Sequence, residues 1–196
     1  MHTLTDTIIH AGYLAFFITL FAESGFLLGF FLPGDSLLFT AGILASQGLF
    51  NIYILTGGAI IAAIAGDSFG YYLGKKAGDS LFNRPDSRFF KQEYVEKTED
   101  FFHRHGTKTI ILARFVPIVR TFAPIMAGVG SMRYKTFLSY NVIGGILWTA
   151  SFLLLSFYLG SVVPNIEHYL SYIIFSILVL SVMPIFIELI RSRRKN

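Results

Sequence analysis

The stretch that decides the fold is residues 109–132, which read TIILARFVPIVRTFAPIMAGVGSM. It is apolar enough to lie in lipid, yet it carries Arg114 and Arg120 together with the prolines Pro117 and Pro124. Each arginine at the centre of a membrane costs about 2.5–3.5 kcal/mol on the insertion scale. Each proline removes a helix hydrogen bond and clashes with the preceding turn. Because interrupted backbone at membrane depth persists only inside protein or beside a wet cavity, the stretch predicts a functional site rather than an anchor.

The rest of the chain has the composition of an integral membrane protein. Of its 196 residues 54% are hydrophobic and 14% are charged, and this charged share is about half the one usual in soluble domains. Regions long enough to enter or cross a bilayer cover residues 12–32, 36–73, 109–131, 136–163 and 169–187. The chain has no cysteine, and its net charge of +4 suits anionic lipid headgroups better than nucleic acid.

Basic residues predict the topology of the second half. They cluster between residues 75 and 108 and in the tail at 188–196, and the positive-inside tendency places both clusters in the cytoplasm. A single crossing by residues 109–131, followed by spans at 136–163 and 169–187, would put the tail outside. A segment that enters and returns keeps every basic cluster inside. We therefore predict a re-entrant hairpin at residues 109–131.

The first half predicts a second hairpin, inserted from the other face. Residues 12–46 contain Glu23, and the sequence Pro33-Gly34-Asp35 interrupts them before a segment that is too short to span. A span at residues 52–73 follows. Residues 75–108 then form a cytoplasmic loop whose aromatic residues recur at helical spacing. This loop is either an amphipathic helix on the inner leaflet or a helix packed on the spans.

Short echoes of sequence connect the two halves, such as Ala41-Gly42 with Ala127-Gly128 and the segment ending at Gly74 with the one ending at Gly160. With opposite insertion they indicate an inverted-topology repeat, in which a transport site lies where broken helices meet. The predicted fold class is an all-α integral membrane protein. It has two oppositely inserted re-entrant helical hairpins and about three full transmembrane helices, in a single domain over residues 1–196.

Five charged residues lie inside the hydrophobic regions: Glu23, Asp35, Asp67, Arg114 and Arg120. One interpretation is structural, with buried ion pairs that fix the hairpins against each other and no transported species. Against it, a buried pair often gains little over an apolar pair, and ionisable groups inside a membrane are functional candidates by default. For Asp67, near the end of its predicted span, we expect a hydrogen-bonding role at the helix end rather than a role in transport.

The arginines and the acids suit different chemistry. Arginine presents a planar fork of donors that matches phosphate oxygens, so Arg114 and Arg120 are predicted to bind a lipid phosphate. Burial raises the pKa of a carboxylic acid and a nearby arginine lowers it, so Glu23 and Asp35 are predicted to couple protons. The hairpin breaks are assigned to Pro33, Gly34, Pro117 and Pro124. No catalytic motif is present, and the histidines lie outside the hydrophobic regions, so we expect no enzyme, no cofactor and no metal site.

Three ordered motifs run over nearly the whole chain: ESGFLLGFFLPGD at residues 23–35, GDSFGY at 66–71 and RFVPIVRTFAPIMAG at 114–128. Together they resemble the bacterial DedA family, also called the SNARE-associated or VTT-domain family, which is similar to the eukaryotic VTT lipid scramblases. The resemblance implies two facing re-entrant hairpins in the inner membrane and transport that depends on the proton motive force, notably recycling of undecaprenyl phosphate. It also implies that the family's acidic pair corresponds to Glu23 and Asp35, and its arginine pair to Arg114 and Arg120.

The function expected from the sequence is transport of a lipid phosphate, undecaprenyl phosphate first, across the bacterial inner membrane with proton or cation coupling. A phospholipid flippase or scramblase, for instance for phosphatidylethanolamine, and a proton-coupled ion or small-solute antiporter stay open as alternatives. So does a purely structural membrane protein. The expected partners are membrane phospholipids, the lipid-phosphate substrate and protons, but no nucleic acid, and a homo-oligomer is left open. We expect a multi-pass protein with a cytoplasmic C-terminus.

Overall fold

The part of the chain described by its computed structural model, which is residues 2–26, 34–82, 110–111, 114 and 117–163, consists of α-helices and the turns between them. The helices are α1 (His2–Gly25), α2 (Gly34–Ser46), α3 (Ile52–Phe82), α4 (Pro117–Val129) and α5 (Tyr134–Val162). The predicted span at 169–187, the tail at 188–196 and most of the loop at 75–108 lie outside the described residues.

Within the described residues two helices are long and apolar enough to cross a membrane, namely residues Ile52–Ala77 of α3 and all of α5. At about 1.5 Å per residue each is longer than the roughly 30 Å hydrocarbon core of a bilayer. Only 33% of the most apolar window of either helix is buried within the protein, whereas the core helix of a soluble protein would be mostly covered. Both helices therefore present wide apolar faces to lipid, and the prediction of a helical membrane protein is confirmed.

The end of α3 differs from the predicted end of its span. The sequence places that end at residue 73, before the lysines Lys75 and Lys76, but the helix continues through both lysines to Phe82. Two charged residues at the end of a span are compatible with helix, because lysine side chains extend to the interface while their backbone stays hydrogen-bonded. The first part of the predicted loop is thus a continuation of α3.

The two shorter apolar helices, α2 and α4, have 13 residues each. A helix of that length measures about 20 Å and is too short to cross the hydrocarbon core. Each packs mainly on the long helix of the other half of the chain: α2 on α5, and α4 on α3. The other large interfaces join α1 to α3 and α3 to α5. Insertion of the short helices from opposite faces of a bilayer, and hence re-entrance, stays a prediction.

The predicted breaks mark helix starts rather than interruptions. Gly34 is the first residue of α2 and Pro117 the first residue of α4, a position where the missing proline N–H costs nothing. Pro124 was expected to break the second hairpin, and this prediction is corrected, because α4 continues through it to Val129. An internal proline costs about 3 kcal/mol, which the packing of the buried Pro124 side chain near Gly70 of α3 offsets. Pro33 lies outside the described residues.

The two short helices end in the same type of turn. After α2, the backbone amides of Gln47, Gly48 and Leu49 donate hydrogen bonds to carbonyl groups near the end of that helix. After α4, the backbone amides of Gly130, Ser131 and Met132 do the same. One residue of each turn, Gly48 (φ 83°) and Ser131 (φ 51°), has a positive φ, the left-handed conformation that ends a helix. A short helix, this turn and a long helix therefore follow one another twice in the chain.

Glycines bring the short helices close to their long partners. A Cβ on Gly42 of α2 would lie 2.7 Å from the carbonyl oxygen of Leu153 on α5, and one on Gly128 of α4 would lie 2.7 Å from the backbone nitrogen of Lys75 on α3. Real Cβ atoms essentially never approach other atoms this closely. Both interfaces therefore require a residue without a side chain, as small-residue contacts between membrane helices often do.

An apolar core fills the space between α1, α2, α3 and α5. Its fully buried members include Leu20, Leu38, Leu55 and Leu153, and Trp148 of α5 belongs to the same cluster. Trp148 is 2% exposed. The Trp148 side chain also contacts charged residues, so it belongs to both the apolar core and the candidate site.

Candidate functional site

The five charged residues of the hydrophobic regions lie together in the interior, and we call them the ion-pair centre. Glu23, Asp35, Asp67 and Arg114 are each at most 8% exposed, and the side chain of Arg120 is 14% exposed. They come from α1, α2, α3, residue 114 and α4 in turn. Because a buried charge without a partner is very costly, each of these residues requires a partner on another part of the chain.

Arg120 links two helices through one guanidinium group. Its Nη1 donates to Oδ1 of Asp35, and its Nη2 donates to Oε1 of Glu23. Both are charge-assisted hydrogen bonds, about twice as strong as neutral ones. The guanidinium group of Arg120 therefore bridges the end of α1 and the start of α2, the two helices on either side of the first predicted break.

Glu23 lies against the start of α2. A Cβ on Gly34 would overlap its carboxyl oxygens, so the predicted break must be a glycine for the carboxyl group to reach Arg120. The backbone amide of Gly34 lies beside this carboxyl group. The second oxygen of Glu23, Oε2, is nevertheless buried without a hydrogen bond of good geometry among the described residues.

Asp35 is held from two sides. Its Oδ1 accepts a hydrogen bond from Arg120 and a second one, of 3.1 Å, from the indole Nε1 of Trp148. The Trp148 ring also faces both arginines, with its centre 4.6 Å from the guanidinium carbon of Arg120 and 6.0 Å from that of Arg114. These distances are typical of cation–π contacts. Trp148 therefore fixes the position of an acid and of its cationic partner at once.

Arg114 has a separate set of partners. Its Nη2 donates to Oδ2 of Asp67 and to Oδ1 of Asn141, and Asn141 in turn donates through Nδ2 to the carbonyl of Ile64 at 3.2 Å. Gly144 makes room for this arrangement, because a Cβ there would lie 2.9 Å from Cδ of Arg114. The Nε of Arg114 is buried and has no hydrogen-bond partner among the described residues.

The position of Asp67 corrects the sequence interpretation. A helix-end role was expected, but α3 continues well beyond this residue and Asp67 is 5% exposed, paired with Arg114. The span is longer than the hydropathy pattern suggested, which moves Asp67 from its end towards its middle. Asp67 is therefore part of the ion-pair centre.

The structure brings all four predicted site residues together, although neither arginine offers an empty fork. Arg120 donates to both predicted proton-coupling acids, and Arg114 donates to Asp67 and Asn141. A phosphate that takes the donors now bonded to Glu23, Asp35 and Asp67 must therefore replace those carboxylates. The predicted roles of Glu23, Asp35, Arg114 and Arg120 stay predictions.

Asn141 and Trp148 were not singled out from the sequence. Asn141 is an amide in the uncharged segment 136–163, and Trp148 is the one tryptophan of the chain. Both are rare residue types for their surroundings, which is the signal that would have found them. Within the described ranges no group of three or more potential metal ligands is present.

Comparisons with known proteins find relatives over most of the chain. A family model described as the VTT domain matches residues 32–158. The chain is 46% identical over 184 residues to Protein DedA of Escherichia coli (strain K12), covering 93% of this chain and 84% of that protein. It is 43% identical over 167 residues to an uncharacterised membrane protein of Mycobacterium leprae (strain TN), covering 85% and 74% of the two chains. An uncharacterised membrane protein of Mycobacterium tuberculosis (strain CDC 1551 / Oshkosh) is 42% identical over 179 residues, covering 90% and 78%. No solved structure matches the chain.

Proposed function

The chain belongs to the DedA family of VTT-domain membrane proteins, and from this premise we propose that it carries a lipid phosphate across the bilayer together with protons. The substrate we expect is undecaprenyl phosphate, and the membrane is the bacterial inner membrane. The proposal includes no chemical conversion of the lipid. In the proposed transport cycle Glu23 and Asp35 take up and release protons, and Arg114 and Arg120 bind the phosphate.

The observation that supports this proposal best is the charge balance of the ion-pair centre. Three carboxylates and two guanidinium groups lie in one buried cluster, which gives a formal charge of −1 when all five are ionised. A net charge in a medium of low dielectric constant is strongly unfavourable. One proton on an acid removes it, and Glu23, whose side chain is buried in this cluster, is the acid we expect to carry that proton.

Phosphate binding changes the balance by one more proton. A singly charged phosphate that takes the donors of Arg120 displaces the carboxylates of Glu23 and Asp35. A displaced carboxylate left ionised in the interior would be costly. With both acids protonated, Asp67 ionised and both arginines charged, the phosphate-loaded centre is neutral. The centre therefore takes up one proton for each singly charged phosphate, and a neutral complex is the one that crosses membrane depth at least cost.

The helix arrangement supports access from both sides. Each 13-residue helix carries one partner of the central ion pair, Asp35 on α2 and Arg120 on α4, and each packs on the long helix of the other half. If the two short helices enter from opposite faces, their starts meet at the centre. This is the geometry of an inverted-repeat transporter, in which either half opens in turn around a fixed site.

The experiment that tests the function is transport by the purified full chain in proteoliposomes of defined lipid. Undecaprenyl phosphate is expected to change leaflet in the presence of a pH gradient, and Glu23→Gln/Asp35→Asn is expected to be inactive. Equal movement of phosphatidylethanolamine without any gradient would identify a scramblase. Proton-driven flux of an ion in vesicles that lack lipid phosphates would identify an antiporter, and full activity of the double variant would leave the structural interpretation.

A further inference from the structure

A basic cavity lies at one end of the long helices, apart from the ion-pair centre. It has a volume of about 570 Å³ and is lined by Ser68, Tyr71, Tyr72, Lys75, Lys76 and Tyr134. Its lining, as far as the chain is described, shares no residue with the ion-pair centre. No role for it follows from the proposed transport chemistry.

From the ends of the membrane-crossing helices we expect the cavity to lie at the level of lipid headgroups. The membrane-crossing part of α3 ends at Ala77 and that of α5 begins at Tyr134. The two ends are adjacent, because the rings of Tyr71 and Tyr134 are 5.4 Å apart and the Tyr71 hydroxyl donates to the carbonyl of Met132. Tyrosine and lysine are the residue types enriched where a membrane meets water. Lys75, exposed like Lys76, therefore presents its charge to a headgroup region.

An apolar groove continues from the cavity along α3. Its first part, about 580 Å³, shares Ser68 and Tyr134 with the basic cavity and is otherwise lined by apolar residues of α1, α3 and α5. Its second part, about 340 Å³, shares Phe21 and Ile61 with the first and extends to Gly58. From Lys75 to Gly58 the distance along the helix is about 25 Å, more than the roughly 15 Å of hydrocarbon in one leaflet.

We infer that this surface is a binding site for an anionic phospholipid of the leaflet in which Lys75 and Lys76 lie. Its phosphate is held by the two lysines, which bind phosphate as point charges, and an acyl chain lies along α3. A free phosphate would use only the basic end, whereas the continuity of a basic cavity with a groove of acyl-chain length fits a molecule with both parts. The site is independent of the proposed transport, because it uses none of the ion-pair centre.

The first test is lipid binding by the purified full chain in neutral detergent micelles, with phosphatidylglycerol as the probe and phosphatidylcholine as the uncharged comparison. Lys75→Gln/Lys76→Gln is expected to weaken phosphatidylglycerol binding by about fivefold for each lysine, that is ~1 kcal/mol each. The matched control is Arg133→Gln/Lys135→Gln, which removes the same charge from exposed residues of the same end that do not line the cavity. An equal loss in both double variants would show diffuse attraction and overturn the site.

The second test separates a lipid from a free anion. Ala65→Phe places a ring in the groove at an exposed position of α3 and leaves both lysines in place. It is expected to weaken binding of long-chain phosphatidylglycerol while the thermal stability of the protein stays close to that of the wild type. Inorganic phosphate at millimolar concentration is expected not to compete. Competition by phosphate, or unchanged binding by both Ala65→Phe and Lys75→Gln/Lys76→Gln, would overturn the inference, and neither outcome depends on whether the ion-pair centre transports a lipid.

Discussion

Trp148 and Asp35 are joined by a hydrogen bond that connects the apolar core to the ion-pair centre. The indole Nε1 lies 3.1 Å from Oδ1 of Asp35, and the same oxygen accepts from Arg120, whose guanidinium carbon is 4.6 Å from the centre of the indole ring. A single side chain of α5 thus orients an acid of α2 and a base of α4. The two short helices are joined directly by the pair of Arg120 and Asp35, and Trp148 of α5 contacts both members of that pair.

The Trp148→Phe substitution tests this relationship. Phenylalanine keeps a ring near Arg120 but removes the donor to Asp35, and the loss of a hydrogen bond to a charged group is worth about 1.5–3 kcal/mol. We expect lipid-phosphate transport to fall by about tenfold or more. Phe152→Leu is the control, because Phe152 contacts the Trp148 ring at 6.1 Å without a hydrogen bond to the centre. Equal transport rates in the two variants would show that the donor does not matter.

The charge balance predicts how lipid-phosphate binding depends on pH. Either Glu23→Gln or Asp35→Asn leaves one acid that can take up a proton when phosphate binds, so affinity should still weaken as pH rises, by up to about tenfold per pH unit. The double variant leaves no such acid. Its affinity is expected to depend on pH only through the second ionisation of the phosphate itself, at about pH 6, and therefore less than that of the wild type, as measured by titration of the purified proteins with a lipid phosphate between pH 6 and 8. A pH slope in the double variant equal to that of the wild type would exclude these acids as the proton sites.

Substitution of either arginine by lysine tests whether phosphate binding requires the planar donors of the guanidinium group. Lysine keeps the charge but has no planar pair of donors. We expect Arg120→Lys and Arg114→Lys each to reduce lipid-phosphate affinity by about ten- to a hundredfold, the equivalent of ~1.5–3 kcal/mol. Thermal stability is recorded alongside, since Arg120 also bridges Glu23 and Asp35. Wild-type affinity in both variants would mean that the arginines serve as counter-ions and do not bind phosphate.

The pair of Asp67 and Arg114 is expected to be a stability determinant. Asp67→Asn removes one partner of a buried pair and leaves Arg114 charged in the interior, which costs about 3–5 kcal/mol. In Asp67→Asn/Arg114→Gln no charge remains unpaired, so the double variant should unfold at a higher temperature than Asp67→Asn. Thermal unfolding in one detergent compares them. Additive losses in the double variant would contradict a direct coupling between the two residues.

Re-entrance is testable by cysteine labelling, since the native chain has no cysteine. Single cysteines in place of Lys108 and Arg133 are expected to react with a membrane-impermeant reagent from the same side of the membrane, the cytoplasmic side. A cysteine in place of Lys75 supplies the reference, because the end of α3 is adjacent to the start of α5. Labelling of the Lys108 and Arg133 positions from opposite sides would rule out the hairpin.

Much of this protein was determined by local sequence. Long apolar runs require membrane helices because backbone groups in lipid must bond within their own segment. The starts of α2 and α4 at Gly34 and Pro117 follow from the lack of a side chain in one and of an N–H in the other. The cost of a charge in hydrocarbon also identified Glu23, Asp35, Arg114 and Arg120, because such residues are not kept at membrane depth without a partner.

Only the tertiary structure decided which charges pair. The sequence gives no distance between Arg120 and Glu23, which are hydrogen-bonded although they lie 97 positions apart in the chain. From the sequence we predicted one phosphate site with both arginines and a helix-end position for Asp67. The packing of α4 on α3 and of α2 on α5 instead gives Arg114 to Asp67 and Asn141, and Arg120 to the two acids and Trp148. The helix at Pro124 was decided in the same way, since packing on α3 outweighs a local penalty of about 3 kcal/mol. Pairing energies fall steeply with distance, and distances between remote residues are set by how the helices pack.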